Sequence, residues 1–140
     1  MKIGVLTQPL HDNYGGLLQA YALSEVLRSL QHEVIIINRQ SKPSKVRALA
    51  SKIKSLIIGR PIKSNPKLKL TSNQKSIISR NTLLFRDKYI PKLTHLITSN
   101  KGMLELNNMG FDAYVVGSDQ CWRPLYSPKV SNYFLDFAEN

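Results

Sequence analysis

The chain is poor in cysteine and has no long apolar run. Cys121 is its only cysteine, so an internal disulfide bond is impossible, and we expect a reducing compartment, the cytoplasm. No apolar run approaches the roughly 20 residues that a membrane-spanning helix needs, and the apolar part of Met1–Thr7 is too short for a secretory signal. Three histidines, His11, His32 and His95, lack metal-ligand spacing, so no metal site is predicted.

Acidic side chains are also scarce, and the basic excess is concentrated in one segment. Residues 39–92 hold 15 of the 20 Lys and Arg residues but only one of the 9 acids, Asp87. Within this segment, residues 46–57 have the apolar spacing of an amphipathic helix. We interpret residues 39–92 as a basic helical insertion with a solvated face. The alternative is a non-catalytic module that binds anions or the surface of an anionic membrane through the same residues.

Nucleic acid is not expected as a partner of this basic segment. Its basic residues are not interleaved with exposed aromatics, and it contains no known nucleic-acid-binding motif.

Both ends of the chain follow an α/β pattern. Strongly apolar strands are predicted at Lys2–Leu6 and Val34–Ile37, with a helix from about Gly16 to Leu30 between them. Further helices are predicted at residues 72–88 and 98–107, and further strands at residues 111–116 and 133–137. These elements indicate a parallel sheet with flanking helices. The predicted organisation is a first βαβ unit at 1–38, the basic insertion at 39–92, and a continuation of the same domain at 93–140.

Glycine and polar residues follow the first strand, where a ligand of an open α/β sheet is expected. The segment begins Asn13-Tyr14-Gly15-Gly16 and includes Gln19 one helical turn later. Glycine permits close backbone approach, and the start of the helix favours phosphate or carboxylate. The other interpretation is a capped turn between strand and helix, with Asn13 as the cap. His11, in the same loop, is a candidate acid or base.

A second such segment follows the strand that ends near Val116. Asp119 is a candidate general base or ligand for a sugar hydroxyl, and an Asx turn is its structural interpretation. Trp122 suits packing against a sugar ring, or it is a packed anchor. The remaining candidates for substrate binding are Gly117, Ser118, Gln120 and, as a partner for an anion, Arg123. Cys121 has no catalytic partner nearby and is interpreted as a buried thiol.

Together these residues resemble the N-terminal half of the polysaccharide pyruvyl transferase family. The resemblance rests on Lys2–Thr7, Asn13–Leu23, Gly117–Pro124 and Tyr133–Phe137, and it does not extend to the basic middle. It implies a Rossmann-like domain that is one half of an architecture similar to two-domain GT-B glycosyltransferases. Asn13–Gly16 and Ser118–Gln120 would line one wall of the cleft between the two halves.

The resemblance also implies an activity and its partners. Family members transfer a pyruvyl group from phosphoenolpyruvate to sugar hydroxyls during the synthesis of bacterial surface glycans, including exopolysaccharides. The implied partners are phosphoenolpyruvate, a sugar or lipid-linked glycan acceptor, and a C-terminal domain that supplies the donor-binding wall. No cofactor is implied beyond the donor substrate. We expect a cytoplasmic enzyme at the inner face of the membrane, and we expect the 140 residues alone to be inactive.

Overall fold

The structure is a computed structural model that describes residues 1–10, 13–41, 71–90, 92–117, 119–124 and 126–138. The chain divides into two compact units, one formed by Met1–Ser41 with Ser79–Asn140 and the other by Lys42–Ile78. Only residues 71–78 of the second unit are described, so the predicted helix at 46–57 and most of the basic insertion lie outside the described residues. The fold given below is that of the first unit.

A parallel sheet of four strands forms the centre of the first unit. Its strands are β1 (Lys2–Leu6), β2 (Glu33–Ile37), β3 (Lys92–Leu93) and β4 (Ala113–Val116), in the spatial order β3-β2-β1-β4. Every pairing is parallel. The predicted α/β fold with a parallel sheet and flanking helices is confirmed, and β1 lies in the interior of the sheet between β2 and β4.

The described helices follow the sequence pattern closely. They are α1 (Tyr14–Ser29), α2 (Ser72–Tyr89) and the short α3 (Asn100–Leu104), which continues into a 3-10 helix at Glu105–Met109. Two further 3-10 helices lie at Asp119–Trp122 and Val130–Phe134. Helix α1 begins where the side chain of Asn13 accepts a hydrogen bond from the Gly16 backbone N–H, which satisfies one of the free donors at a helix start.

The alternating side chains of the strands build a core on each side of the sheet. The helix-face core lies under α1 and α2, and its buried members include Ile3, Val5, Leu17, Ala20, Val34, Ile36 and Ile90. The loop-face core lies under α3, the 3-10 helices and their connections, and its buried members are Leu6, Ile37, Ile97, Met103, Leu106, Cys121, Tyr133 and Phe137. A two-residue period places successive residues of β1 and β2 in opposite cores.

The strand predicted at Tyr133–Phe137 is wrong. Val130–Phe134 is a 3-10 helix, and Leu135 has the left-handed backbone conformation, with φ of 59°. Tyr133 and Phe137 are both buried in the loop-face core, and the left-handed residue between them interrupts the extended backbone that a strand requires. The Asp136 carboxylate accepts hydrogen bonds from Lys129, Ser131 and Asn132, which stabilise this turn.

Candidate functional site

The two segments singled out in the sequence begin at the same edge of the sheet. Strands β1 and β4 are parallel neighbours, and their last residues, Leu6 and Val116, are partners in the register. The Gly117 backbone N–H donates to the Leu6 carbonyl at 3.1 Å. The chain therefore leaves both strands at one point, and parallel strands deliver both segments to their carboxyl-end edge.

The first segment is organised around Asn13 and Gln8. The Asn13 Oδ1 accepts from the Gly16 N–H at 3.2 Å, and its Nδ2 donates to the Gln8 Oε1 at 2.9 Å. A Cβ on Gly16 would lie only 3.2 Å from the Asn13 Nδ2, so glycine allows the capping side chain to approach this closely. Asn13 is thus the helix cap. Gln8, which is buried, was missed in the sequence because it has no motif of its own.

The second segment forms a short 3-10 helix anchored by Cys121. The Cys121 side chain is fully buried, and its Sγ donates to the Gly117 carbonyl at 2.8 Å. Burial is the main cause that raises the pKa of Cys121 to about 11, with a contribution from the Asp119 charge and an opposing hydrogen bond from the Gln8 backbone. The group remains a thiol at neutral pH, which agrees with its interpretation as a buried residue and excludes an activated nucleophile.

The exposed side chains of this helix form a hydrogen-bonded series. The Gln120 Nε2 donates to the Asp119 Oδ2 at 2.9 Å, and the Arg123 Nη1 donates to the Gln120 Oε1 at 3.0 Å. The Arg123 guanidinium lies 5.7 Å from the centre of the Tyr126 ring. Because an amide can donate only through its nitrogen, the bond from Arg123 fixes the orientation in which Gln120 meets the carboxylate. Asp119 is exposed and able to accept a hydroxyl proton.

A cavity of about 240 Å³ joins the two segments. Its lining residues are Gln8, Asn13, Gln120 and Tyr126. Asn13 and Gln120 were both predicted to bind substrate, and the structure brings them together across the edge of the sheet. Among the described residues, Tyr126 and Gln8 add a phenol and an amide to the lining, so hydrogen-bond donors and acceptors lie beside apolar surface in this cavity.

Gln19 and Gly117 lie at a different cavity, of about 340 Å³, between α1 and β4. Its lining residues are Thr7, Gln19, Ala20, Ala22, Leu23, Val115, Val116 and Gly117. A Cβ on Gly117 would come within 2.7 Å of a Leu23 methyl carbon, so a larger residue here would require the Leu23 side chain to shift. Gln19 is therefore separated from the cavity that contains Asn13.

The other predicted site residues are placed as follows. Tyr14 and Gly15 lie in the exposed first turn of α1. Trp122 is 45% exposed, and its ring centre lies 4.8 Å from that of Phe134. His11 and Ser118 lie outside the described residues. Phe134 was missed as a candidate because its segment was assigned to a strand.

Within residues 1–10, 13–41, 71–90, 92–117, 119–124 and 126–138, no three His, Cys, Asp or Glu side chains are grouped so that they can hold a metal ion. Among the helices of this described part, none combines the length and hydrophobicity required to cross a membrane.

Comparison with known proteins gives one match. The family model described as polysaccharide pyruvyl transferase matches residues 13–140 of the chain, which include both segments of the candidate site. Neither the curated proteins nor the solved structures contain a significant match.

Proposed function

Since the chain belongs to the polysaccharide pyruvyl transferase family, we propose that it is the N-terminal half of an enzyme that transfers a pyruvyl group from phosphoenolpyruvate to sugar hydroxyls of a bacterial surface glycan. The observation that carries this proposal is the meeting of Asn13 and Gln120 at one cavity beside Asp119. Polar side chains at the carboxyl ends of parallel strands are the usual ligand position in this class of fold.

The proposed reaction forms a ketal. The methylene carbon of phosphoenolpyruvate takes up a proton and becomes a methyl group, while two sugar hydroxyls form C–O bonds to the adjacent carbon. The C–O bond to the phosphate breaks, and phosphate leaves with its electron pair. The two hydroxyls release two protons. One of them replaces the proton that the methylene carbon takes up, and the other leaves with phosphate. The reaction requires an acid, a base and donors for the negative charges.

Asp119 is the proposed base or orienting group for the sugar hydroxyl. Its carboxylate is exposed at the edge of the sheet and is held on one oxygen by the Gln120 amide at 2.9 Å. The other oxygen is proposed to accept from a sugar hydroxyl. Asn13 and Gln120 are proposed to bind polar groups of the substrates in the cavity that they line.

The donor is proposed to lie towards the start of α1. The exposed first turn at Tyr14 and Gly15 carries backbone N–H groups at the positive end of the helix dipole, which favours an anionic group. His11 stays a predicted acid or base. Most of the positive charge around the donor is proposed to come from a second Rossmann-like half, as the family resemblance implies.

The proposal also covers the substrates of the enzyme, its cofactor and its location in the cell. Phosphoenolpyruvate is its donor substrate, no further cofactor is proposed, and the acceptor is a sugar or a lipid-linked glycan. Synthesis of such glycans from phosphoenolpyruvate would take place in the cytoplasm at the inner face of the membrane. Peripheral contact with anionic lipid through residues 39–92 stays a prediction.

Transfer by the full-length protein tests the proposal. The protein is incubated with phosphoenolpyruvate and glycan acceptors, and ketal formation is followed by the new methyl signal in NMR together with phosphate release. We expect Asp119→Asn to lower kcat/KM by about 10²–10⁴-fold, since that is the usual contribution of a positioned acid or base. The matched control is Asp87→Asn, which removes an exposed carboxylate on α2 and should leave the rate unchanged.

Two results would contradict the proposal. If the folded protein formed no ketal with any acceptor, pyruvyl transfer would be refuted as its reaction. A rate for Asp119→Asn equal to that of Asp87→Asn would retain the reaction but exclude Asp119 from it.

A further inference from the structure

Two exposed aromatic side chains lie against each other beside the candidate site. Trp122 is 45% exposed and Phe134 is 70% exposed, although their rings are in contact with a centre-to-centre distance of 4.8 Å. Both leave large apolar surfaces in water, which is unfavourable unless a partner covers them. Tyr126, which lines the cavity beside Asn13 and Gln120, is another exposed aromatic and is 50% exposed.

Each of the two rings follows a fully buried residue. Cys121 precedes Trp122 and Tyr133 precedes Phe134, and both of these anchors are in the loop-face core. The Tyr133 hydroxyl donates to the Thr7 carbonyl at 3.2 Å, which ties the Phe134 segment to the end of β1. The segments that carry both rings are thus anchored in the core. The exposure of the rings does not result from fraying of these segments.

Asp119 and Trp122 share one edge of their 3-10 helix. Such a helix has three residues per turn, so residues three apart are aligned. Gln120 and Arg123 are likewise three apart and bond to each other at 3.0 Å, while Cys121 points into the core. The aromatic pair therefore borders the edge that carries the Asp119 carboxylate.

We propose that Trp122 and Phe134 form a platform for the pyranose ring of the acceptor glycan, next to the carboxylate that receives its hydroxyls. This inference rests on the proposed function and assigns the acceptor side of the same site. Aromatic faces take up the C–H surface of a sugar, while carboxylates and amides bind its hydroxyls. The planes of the two rings differ by 61°, so together they form an open corner that contacts a sugar ring on two sides.

The sole tryptophan of the chain makes this inference directly measurable. The 140 residues contain one tryptophan, so fluorescence excited at the tryptophan band reports on Trp122 alone. The chain is titrated with the methyl glycosides of glucose, galactose, mannose and N-acetylglucosamine, without phosphoenolpyruvate. We expect saturable quenching or a blue shift with at least one of them, together with protection of Trp122 from acrylamide.

Substitutions of Phe134 identify the platform while leaving the reporter in place. We expect Phe134→Ala to weaken glycoside binding about three- to tenfold, as expected for loss of one aromatic contact, and Phe134→Tyr to retain it. Leu96→Ala is the matched control, because Leu96 is also exposed, at 54%, and lies outside the candidate site. Circular dichroism verifies that all variants are folded. No saturable change with any of the four glycosides, or equal binding by Phe134→Ala and Leu96→Ala, would overturn the inference.

Acceptor kinetics of the full-length protein separate this inference from the proposed function. Pyruvyl transfer with an acceptor KM unchanged by Phe134→Ala would refute the platform and leave the function standing. Glycoside binding at Trp122 without any ketal formation would leave the platform standing and refute the pyruvyl transfer.

Discussion

The two faces of the sheet are covered in different ways. On the helix face, α1 and α2 pack through regular side-chain contacts, and the rings of Tyr21, Phe85 and Tyr89 lie 4.9–5.9 Å apart in an aromatic cluster. On the loop face, short helices and irregular connections cover the strands. The two residues of the proposed platform, Trp122 and Phe134, belong to segments of the loop face. The helix face contributes the start of α1 to the candidate site, whereas the irregular loop face contributes the exposed side chains of Asp119, Trp122 and Phe134.

The loop face compensates for its irregular backbone with a buried polar network. Arg39 is 5% exposed, and its Nε donates to the Asn132 Oδ1 at 3.0 Å. The Asn132 Nδ2 in turn donates to the Asp136 Oδ1 at 2.8 Å. Burial lowers the pKa of Arg39, while Tyr133 and Asp136 oppose this effect. Side-chain hydrogen bonds thus replace the backbone ladders that stabilise regular elements.

The largest expected effects test whether the two cores are equally well packed. Leu17 in the helix-face core and Met103 in the loop-face core are both buried, at 2% and 0% exposure. We expect Leu17→Ala and Met103→Ala each to lower the free energy of unfolding by about 2–5 kcal/mol, because each leaves a cavity in a packed core. Urea unfolding measures both. A cost below about 1 kcal/mol for Met103→Ala alone would mean that the loop face is loosely packed.

An intermediate effect is expected at the junction of the helix face with the candidate site. Asn13→Ala removes the cap of α1 and should lower the free energy of unfolding by about 1 kcal/mol. Asn13→Asp is the matched control, since it keeps an oxygen for the Gly16 N–H but loses the donor to Gln8. Thermal and urea unfolding of both variants give the comparison. Equal destabilisation by the two would show that the bond to Gln8, and not the cap, stabilises this end of the helix.

The smallest effect concerns the acid stability of the loop face. Partial burial opposes ionisation of Asp136, but hydrogen bonds from Lys129, Ser131 and Asn132 lower its pKa from 3.8 to about 2. The folded state therefore holds this proton less tightly than the unfolded state. The stabilisation is complete above pH 3.8 and is lost as the pH falls through about 2. Solvent screening of the partly exposed carboxylate limits it to about 1 kcal/mol or less.

Substitution of this carboxylate gives the measurement. We expect Asp136→Asn to be less stable than the wild type near neutral pH and to show a smaller loss of unfolding free energy on acidification. Urea unfolding over a pH series measures the slope, with Asp87→Asn as control. A slope for Asp136→Asn equal to that of the wild type would show that the network is not linked to protonation of Asp136.

The sequence predicted the regular elements well because their periodicity is local. β1, α1, β2, α2 and β4 follow from apolar runs and helical spacing, with bounds that differ by a few residues. The two-residue strand β3 was not predicted, since Lys92 and Leu93 are exposed and carry no strand pattern. The segment Tyr133–Phe137 was assigned to a strand, whereas its turn depends on hydrogen bonds to the Asp136 side chain, which a local pattern does not show.

The candidate site was predictable only where a motif marked the end of a strand. Asn13 and Gln120 were identified as candidates in this way, and the structure brings them to one cavity. Gln8 and Tyr126 were missed because nothing in their local sequence distinguishes them, and Phe134 was missed because its segment was assigned to a strand. Their positions depend on contacts between distant segments, such as the bond from Tyr133 to Thr7, which local patterns do not contain.

The position of β1 between its neighbours has a consequence for the order of events during synthesis. One neighbour is β2, at Glu33–Ile37, and the other is β4, at Ala113–Val116. One edge of β1 therefore lacks its partner until the ribosome has made Ala113–Val116, and contacts this distant in sequence form slowly. During that interval the unpaired edge of β1 can pair with a strand of another nascent chain. Pairing with β4 removes this edge and thereby protects the folding chain from aggregation.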